Sequence, residues 1–184
     1  MKFIKTQRND LPGQDFEWQV IPGKLIPADK ENVFDEVAVT IAGGIELRGS
    51  RCSIERALVN FTADEKLIKS NWMPTSGAFI QGIRLEFHTV PGQRILGVGV
   101  QYAVDSNVNG CEFVALLRIS DVDGKRYDDQ NSGQTINAMD NNAVFLGALA
   151  ESEQSIEIAR FDVLPKNNSN IEGFYINSLR LLVG

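Results

Sequence analysis

Histidine and cysteine are nearly missing from this chain of 184 residues: there is one histidine, His88, and two cysteines, Cys52 and Cys111. A zinc or other transition-metal site takes three or four nitrogen and sulfur ligands. These scattered residues, with no Cys-x-x-Cys pair among them, do not supply such a set. Any Ser-His-Asp arrangement would have to pass through His88, and no Gly-x-Ser-x-Gly segment occurs. The cysteines read either as two buried thiols or as a disulfide between strands, the latter only in an oxidising compartment. Runs of lysine and arginine are also lacking. With 24 acidic residues against 18 basic ones the net charge is −6, which argues against nucleic acid as a partner. No stretch reaches the roughly twenty apolar residues that span a bilayer. Residues 1–8 (MKFIKTQR) are basic but have no apolar core, so they do not read as a signal peptide. The chain as written is cytoplasmic on this reading, or extracellular if it is a processed form.

What the chain does have is strand after strand. Residues 94–104 (RILGVGVQYAV), 110–120 (GCEFVALLRIS), 143–149 (AVFLGAL), 155–163 (SIEIARFDV) and 172–183 (EGFYINSLRLLV) are short apolar runs, mostly in period two. Turn residues separate them, Asp121-Val122-Asp123-Gly124 among them. Residues 79–89 (FIQGIRLEFHT) form a further strand ended by Pro91-Gly92, and residues 37–41 alternate as well. Phe16 to Val20 alternates, within a loosely patterned segment over residues 1–35. Ala42-Gly43-Gly44 reads as a turn into Ile45-Glu46-Leu47-Arg48. Residues 53–70 are ambiguous: Ser53 could cap a short helix and residues 63–69 (ADEKLIK) are helix formers, while residues 57–62 (ALVNFT) read as a strand. Residues 71–77 (NWMPTSG) and 131–142 (NSGQTINAMDNN) read as loops. The expectation is one all-β domain over residues 1–184, an antiparallel jelly-roll sandwich of two sheets with about nine strands and little helix.

The segment from about Gly92 to Val183 resembles domains of exported bacterial proteins of the PEP-CTERM type. The residues that carry the resemblance are Ile95-Leu96-Gly97-Val98-Gly99, the Asp121–Gly124 turn, Phe145-Leu146-Gly147-Ala148-Leu149-Ala150 with Gln154-Ser155-Ile156, and Tyr175-Ile176-Asn177-Ser178-Leu179-Arg180-Leu181. No terminal apolar sorting helix follows Leu182-Val183-Gly184. More distantly, the fold is similar to carbohydrate-binding modules and to hapalindole-type cyclases. In those cyclases an Asp of the last strand is the proton donor; this chain has Asn177 there, which cannot donate a strongly acidic proton. The resemblance implies a sandwich fold and a bacterial, soluble protein.

Three groups of residues are candidates for chemistry. Exposed aromatics hold sugars by stacking a ring on the apolar face of a pyranose, and Trp72 and Tyr102 stand out among Trp18, Trp72, Tyr102, Tyr127 and Tyr175. Tryptophan is, however, often buried, and Trp72 equally reads as a core plug. Glu86, His88, Gln101, Glu112 and Arg118 are polar residues within strands. Glu86 and His88 share one face by the two-residue period, and so do Glu112 and Arg118. If these faces meet across a concave sheet they make a cleft for ligand recognition or acid–base work; otherwise they are the solvated face of a sheet. Asp121 and Asp123, with Asp128 and Asp129, offer oxygen ligands for one structural calcium, or else form a hairpin turn. The expected cofactor is thus none, or one calcium. The expected function is a non-catalytic binding module for a glycan or similar polymer. The alternatives are a small-molecule cyclase or isomerase with a pocket between the sheets, and a self-assembling structural domain whose partner is another copy.

Overall fold

The computed structural model describes residues 1–16, 31–34, 37–41, 51–56, 66–71, 83–105, 110–134, 143–166, 171, 173–177 and 179–184. Among the described residues there are fourteen strands and one short 3-10 turn, Arg8–Asp10. The strands are β1 (Lys2–Ile4), β2 (Gln14–Phe16), β3 (Glu31–Phe34), β4 (Val37–Ile41), β5 (Arg51–Arg56), β6 (Lys66–Asn71), β7 (Ile83–Thr89), β8 (Ile95–Asp105), β9 (Glu112–Asp121), β10 (Arg126–Gln134), β11 (Val144–Leu149), β12 (Ile156–Pro165), β13 (Gly173–Ile176) and β14 (Leu179–Val183). They build two antiparallel sheets. One has eight strands in the order β1-β11-β8-β13-β6-β5, with β14 on β8 and β2 on β14. The other has six strands, β10-β9-β12-β7-β4-β3. The fold is an all-β sandwich.

Alternation in the sequence explains which side of each strand goes inward. On β7 the residues Ile83, Leu85 and Phe87 are buried while Arg84 and Glu86 are half-exposed and His88 is exposed. On β9 Phe113, Ala115, Leu117 and Ile119 join one core cluster, and β12 contributes Ala159, Phe161 and Val163. From the other sheet come Val98, Val100, Tyr102 and Val104 of β8, Phe174 and Ile176 of β13, and Leu179 and Leu181 of β14. Tyr102 packs between Phe161, with ring centroids 6.0 Å apart, and Phe174, at 6.4 Å. Each fully buried large aliphatic or aromatic side chain contributes about 2 kcal/mol, so this interior is what holds the sheets together.

The outer side of the eight-stranded sheet is covered by the chain's own N-terminal residues. Gly97 and Gly99 of β8 and Gly147 of β11 lie on that side. Leu11 and Phe145 fill the space their missing side chains leave: a Cβ on Gly99 would stand 2.6 Å from the Phe145 ring and 2.9 Å from Leu11. Ile4, Leu11 and Phe145 form a separate apolar cluster there. Arg180 Nε donates to the Leu11 carbonyl at 2.6 Å, and Asp15 pairs with both Arg8, at 3.0 Å, and Arg180, at 2.9 Å. The two sheets are also stitched along one edge. Asn131 Nδ2 donates to the carbonyls of Lys5 and Phe145, both at 2.9 Å, and Lys5 pairs with Asp129 at 2.7 Å.

Several sequence expectations change in detail. The segment over residues 1–35 is not merely loose, because β1, β2 and β3 lie within it. Residues 53–56 and 66–69 are strand, in β5 and β6, despite their helix-forming composition. Their pairing with each other and of β6 with β13 settles the matter, since tertiary context overrides helix propensity. Residues 131–134 are not loop but the end of β10, paired with β9 throughout. The run over residues 172–183 divides into β13 and β14. Between them the register against β8 slips by one residue, from Ile176↔Tyr102 to Arg180↔Gly99. Asn177 is buried at this slip and holds Gln101: its Oδ1 accepts the Gln101 N–H at 2.8 Å and its Nδ2 donates to the Gln101 side chain at 2.7 Å. An aspartate there would lack that donor. The strand candidate over residues 57–62, the turn at Ala42–Gly44 with residues 45–48, and Glu17 to Val20 lie outside the described residues.

Candidate functional site

The outer face of the six-stranded sheet collects most of the polar residues singled out from the sequence. Glu86 and His88 come from β7, and Glu112 and Arg118 from β9. The two strands belong to the same sheet with β12 between them, so the residues lie side by side on one face rather than across a cleft from one another. Register makes this concrete. Arg160 of β12 stands opposite Arg84 on one side and Arg118 on the other. In the next row Ile158 stands opposite Glu86 and Ser120. Residues directly opposite share a face, with neighbouring strands about 4.8 Å apart.

Three guanidinium groups in one row repel one another, and three carboxylates offset them: Glu86, Asp162 and Asp128, the last opposite Arg118 on β10. Arg84 Nη2 pairs with Glu86 at 2.6 Å. Arg160 Nε donates to Asp162 Oδ1 at 3.1 Å, and Arg118 Nη1 lies 3.5 Å from Asp162 Oδ2. Asp162 is 3% exposed, whereas Arg118 is 46% exposed. The Oδ2 atom accepts no hydrogen bond among the described residues. Val114 and Leu116, on this same face further along β9, are buried beside Asp162. The open part of the face therefore runs from Arg118 and Arg160 toward Glu86 and His88.

The remaining candidates fall elsewhere. Glu112 shares the face but begins β9, about 20 Å along the strand from Arg118. Tyr102 is fully buried, and its hydroxyl donates to the Leu116 carbonyl at 2.9 Å. Its ring is thus part of the core and does not face solvent. Burial, with the charge of Asp162 as a smaller cause, pushes its hydroxyl well above the usual value of 10. Trp72 lies outside the described residues, as does Trp18. Cys111 is buried.

The four aspartates near the β9–β10 turn are put to separate uses. Asp121 is buried, and its Oδ1 accepts the N–H groups of Asp123, at 3.1 Å, and Lys125, at 2.9 Å. Its Oδ2 accepts the Tyr127 hydroxyl at 3.1 Å, and that hydroxyl accepts from Gln154 at 2.8 Å. Gly124 closes the turn with φ of +76°, a conformation that favours glycine. Asp123 is exposed, Asp129 pairs with Lys5 on the inner side of β10, and Asp128 faces outward opposite Arg118.

Sequence reasoning missed Arg84, Arg160 and Asp162. The signal was available within each strand, because Arg84 has the parity of Glu86, and Arg160 and Asp162 alternate with Ala159, Phe161 and Val163. What was not available is the register that aligns them.

The described residues define an antiparallel two-sheet sandwich with an apolar cluster on part of one outer face and a row of arginines on part of the other. No known family model and no curated protein matches the chain. Two solved structures are similar in fold. The xylan-binding CBM22-1 domain of Xyn10C from Paenibacillus barcinonensis is 11% identical, with a TM-score of 0.43 over 89% of this chain and 97% of that one. The enzymatically active domain of tailspike protein 4 from bacteriophage CBA120 is 15% identical, with a TM-score of 0.33; the match covers 83% of this chain but 19% of the tailspike. The first of these is a carbohydrate-binding sandwich; neither is a PEP-CTERM protein or an alkaloid cyclase. At such distances neither carries an argument about what this chain binds.

Proposed function

We propose that this protein is a non-catalytic binding module for a glycan or a similar polymer, and that the outer face of the six-stranded sheet is its binding surface. The observation that supports this most is the registered pair of rows on β7, β12 and β9. Donors and acceptors are held at fixed intervals on a rigid sheet, around the half-buried apolar side chain of Ile158. A polyhydroxylated chain needs such an array, because each sugar unit presents several hydroxyl groups and one less polar ring face. Sites built on strands keep their geometry without ordering a loop on binding. The described space between the sheets, where a cyclase or isomerase pocket would have to open, is filled by Tyr102, Phe113, Phe161 and Phe174.

The test is affinity electrophoresis and calorimetry against soluble plant, bacterial and fungal polysaccharides. The expected result is binding of at least one of them, weakened by Glu86→Ala with the melting temperature retained. Failure of every polysaccharide to bind would overturn the proposal.

A further inference from the structure

We infer that the free edge of β10 is built to refuse a further strand, such as the β10 of a second copy, and that Asp129 and Asn131 are the residues that close it. Among the described residues β10 is paired with β9 alone and ends the six-stranded sheet. Its nine residues are long enough to template another chain. The hairpin fixes which backbone groups face outward. The Asp121 N–H donates to the Lys125 carbonyl at 3.0 Å, so these two residues form a hydrogen-bonded pair across the turn. Bonded and non-bonded pairs alternate along an antiparallel ladder. Tyr127, Asp129, Asn131 and Gly133 therefore turn their backbone groups toward β9. Asp128, Gln130 and Ser132 turn theirs to the free edge.

Two of these three edge donors are already taken. Asp129 Oδ1 accepts the Gln130 N–H at 2.8 Å, and Asn131 Oδ1 accepts the Ser132 N–H at 3.0 Å. An incoming strand would have to displace both side chains, and both are held from the other side. Asp129 pairs with Lys5 at 2.7 Å, and Asn131 Nδ2 donates to the carbonyls of Lys5 and Phe145, both at 2.9 Å. Those two carbonyls lie just beyond the β1–β11 pairing, at the edge of the other sheet. Asn131 thus occupies polar groups at the edges of both sheets at once. Charged residues that point inward from an edge strand are a recurrent defence against pairing. An antiparallel β10–β10 pair is its own twofold partner, so the assembly refused here is a dimer.

The experiment is light scattering on the full chain over a range of concentrations. The double variant Asp129→Ala/Asn131→Ala should rise in mass toward a dimer more steeply than the unaltered protein. Exchange of the Gln130 and Ser132 amide hydrogens should slow as it does so. Adding Gln130→Pro to the double variant should reverse the association: proline removes an edge N–H without touching the ladder to β9. Melting curves establish which variants are folded. If the double variant is not, Asp129→Ala alone keeps every hydrogen bond of Asn131 and should show the same rise in weaker form. A folded variant with no more association than the unaltered protein would overturn the inference. Association that survives Gln130→Pro would overturn its assignment to this edge.

Discussion

On the outer side of the eight-stranded sheet the paired strands carry Gly97, Gly99 and Gly147; on the outer side of the six-stranded sheet they carry Arg84, Arg118 and Arg160. The inner faces of the two sheets are alike, since both are alternate apolar residues in one core. The outer faces differ in what can approach them. Glycine removes the side chain, so Leu11 and Phe145 settle against the backbone and exclude water. Arginine in three adjacent strands cannot be covered by an apolar segment without leaving charge unpaired. The same scaffold thus uses part of one outer face for stability and keeps Arg118 and His88 on the other in contact with solvent.

The largest expected effect comes from emptying the covered face. Leu11→Ala removes a fully buried side chain and should cost about 3 kcal/mol, read as a lower urea midpoint. Sugar affinity per folded molecule should not change. If affinity fell in proportion, the two faces would not be independent. Gly99→Ala attacks the same packing from the other side. With the Phe145 ring 2.6 Å from the new Cβ, the expected cost is about 2 kcal/mol from overpacking. A stable Gly99→Ala variant would show that Phe145 and Leu11 can give way.

Asp121→Ala strips the β9–β10 turn of an acceptor for two N–H groups and a hydroxyl, with an expected loss of about 2 kcal/mol. Asp121→Asn should restore part of it. We expect the melting temperature to be the same with millimolar calcium or with chelator. A shift of several degrees, abolished by Asp123→Ala, would instead indicate a cation at this turn.

Tyr102→Phe should cost about 1 kcal/mol through the hydrogen bond to Leu116. Its pH dependence is the sharper measurement. The folded hydroxyl ionises well above 10, the unfolded one near 10. The contribution is therefore fully present below pH 10 and lost as pH rises from there toward the folded value. The variant should lack that part of the alkaline loss. The smallest stability effect belongs to Arg118→Gln, within about 0.5 kcal/mol.

Strands β7, β8, β9, β11 and β12 are legible in the sequence because each alternates around strongly apolar inward positions. β10 is not. Of its inward residues only Tyr127 packs against the core; Asp129 and Asn131 meet the edge of the other sheet, and Gly133 makes room for Phe113. Trp72, a favoured sugar-stacking residue, lies outside the described residues, and Tyr102 sits in the core because its hydroxyl finds a backbone carbonyl across the sandwich. Of the charged face, Glu86, His88, Glu112 and Arg118 were legible by parity. The grouping of Arg118 with Arg84, Arg160 and Asp162 was not.

By itself the sequence determines that this chain is built of strands, which residues of the clear strands turn inward, and that its charge is acidic; these follow from local periodicity and composition. Tertiary structure alone decides that β12 lies between β7 and β9, that Arg160 faces both Arg84 and Arg118, and that glycines meet Leu11. The physical reason is that strand order and register are set by contacts between residues far apart in the chain, and a slip of one residue would turn every side chain of a strand to the opposite face.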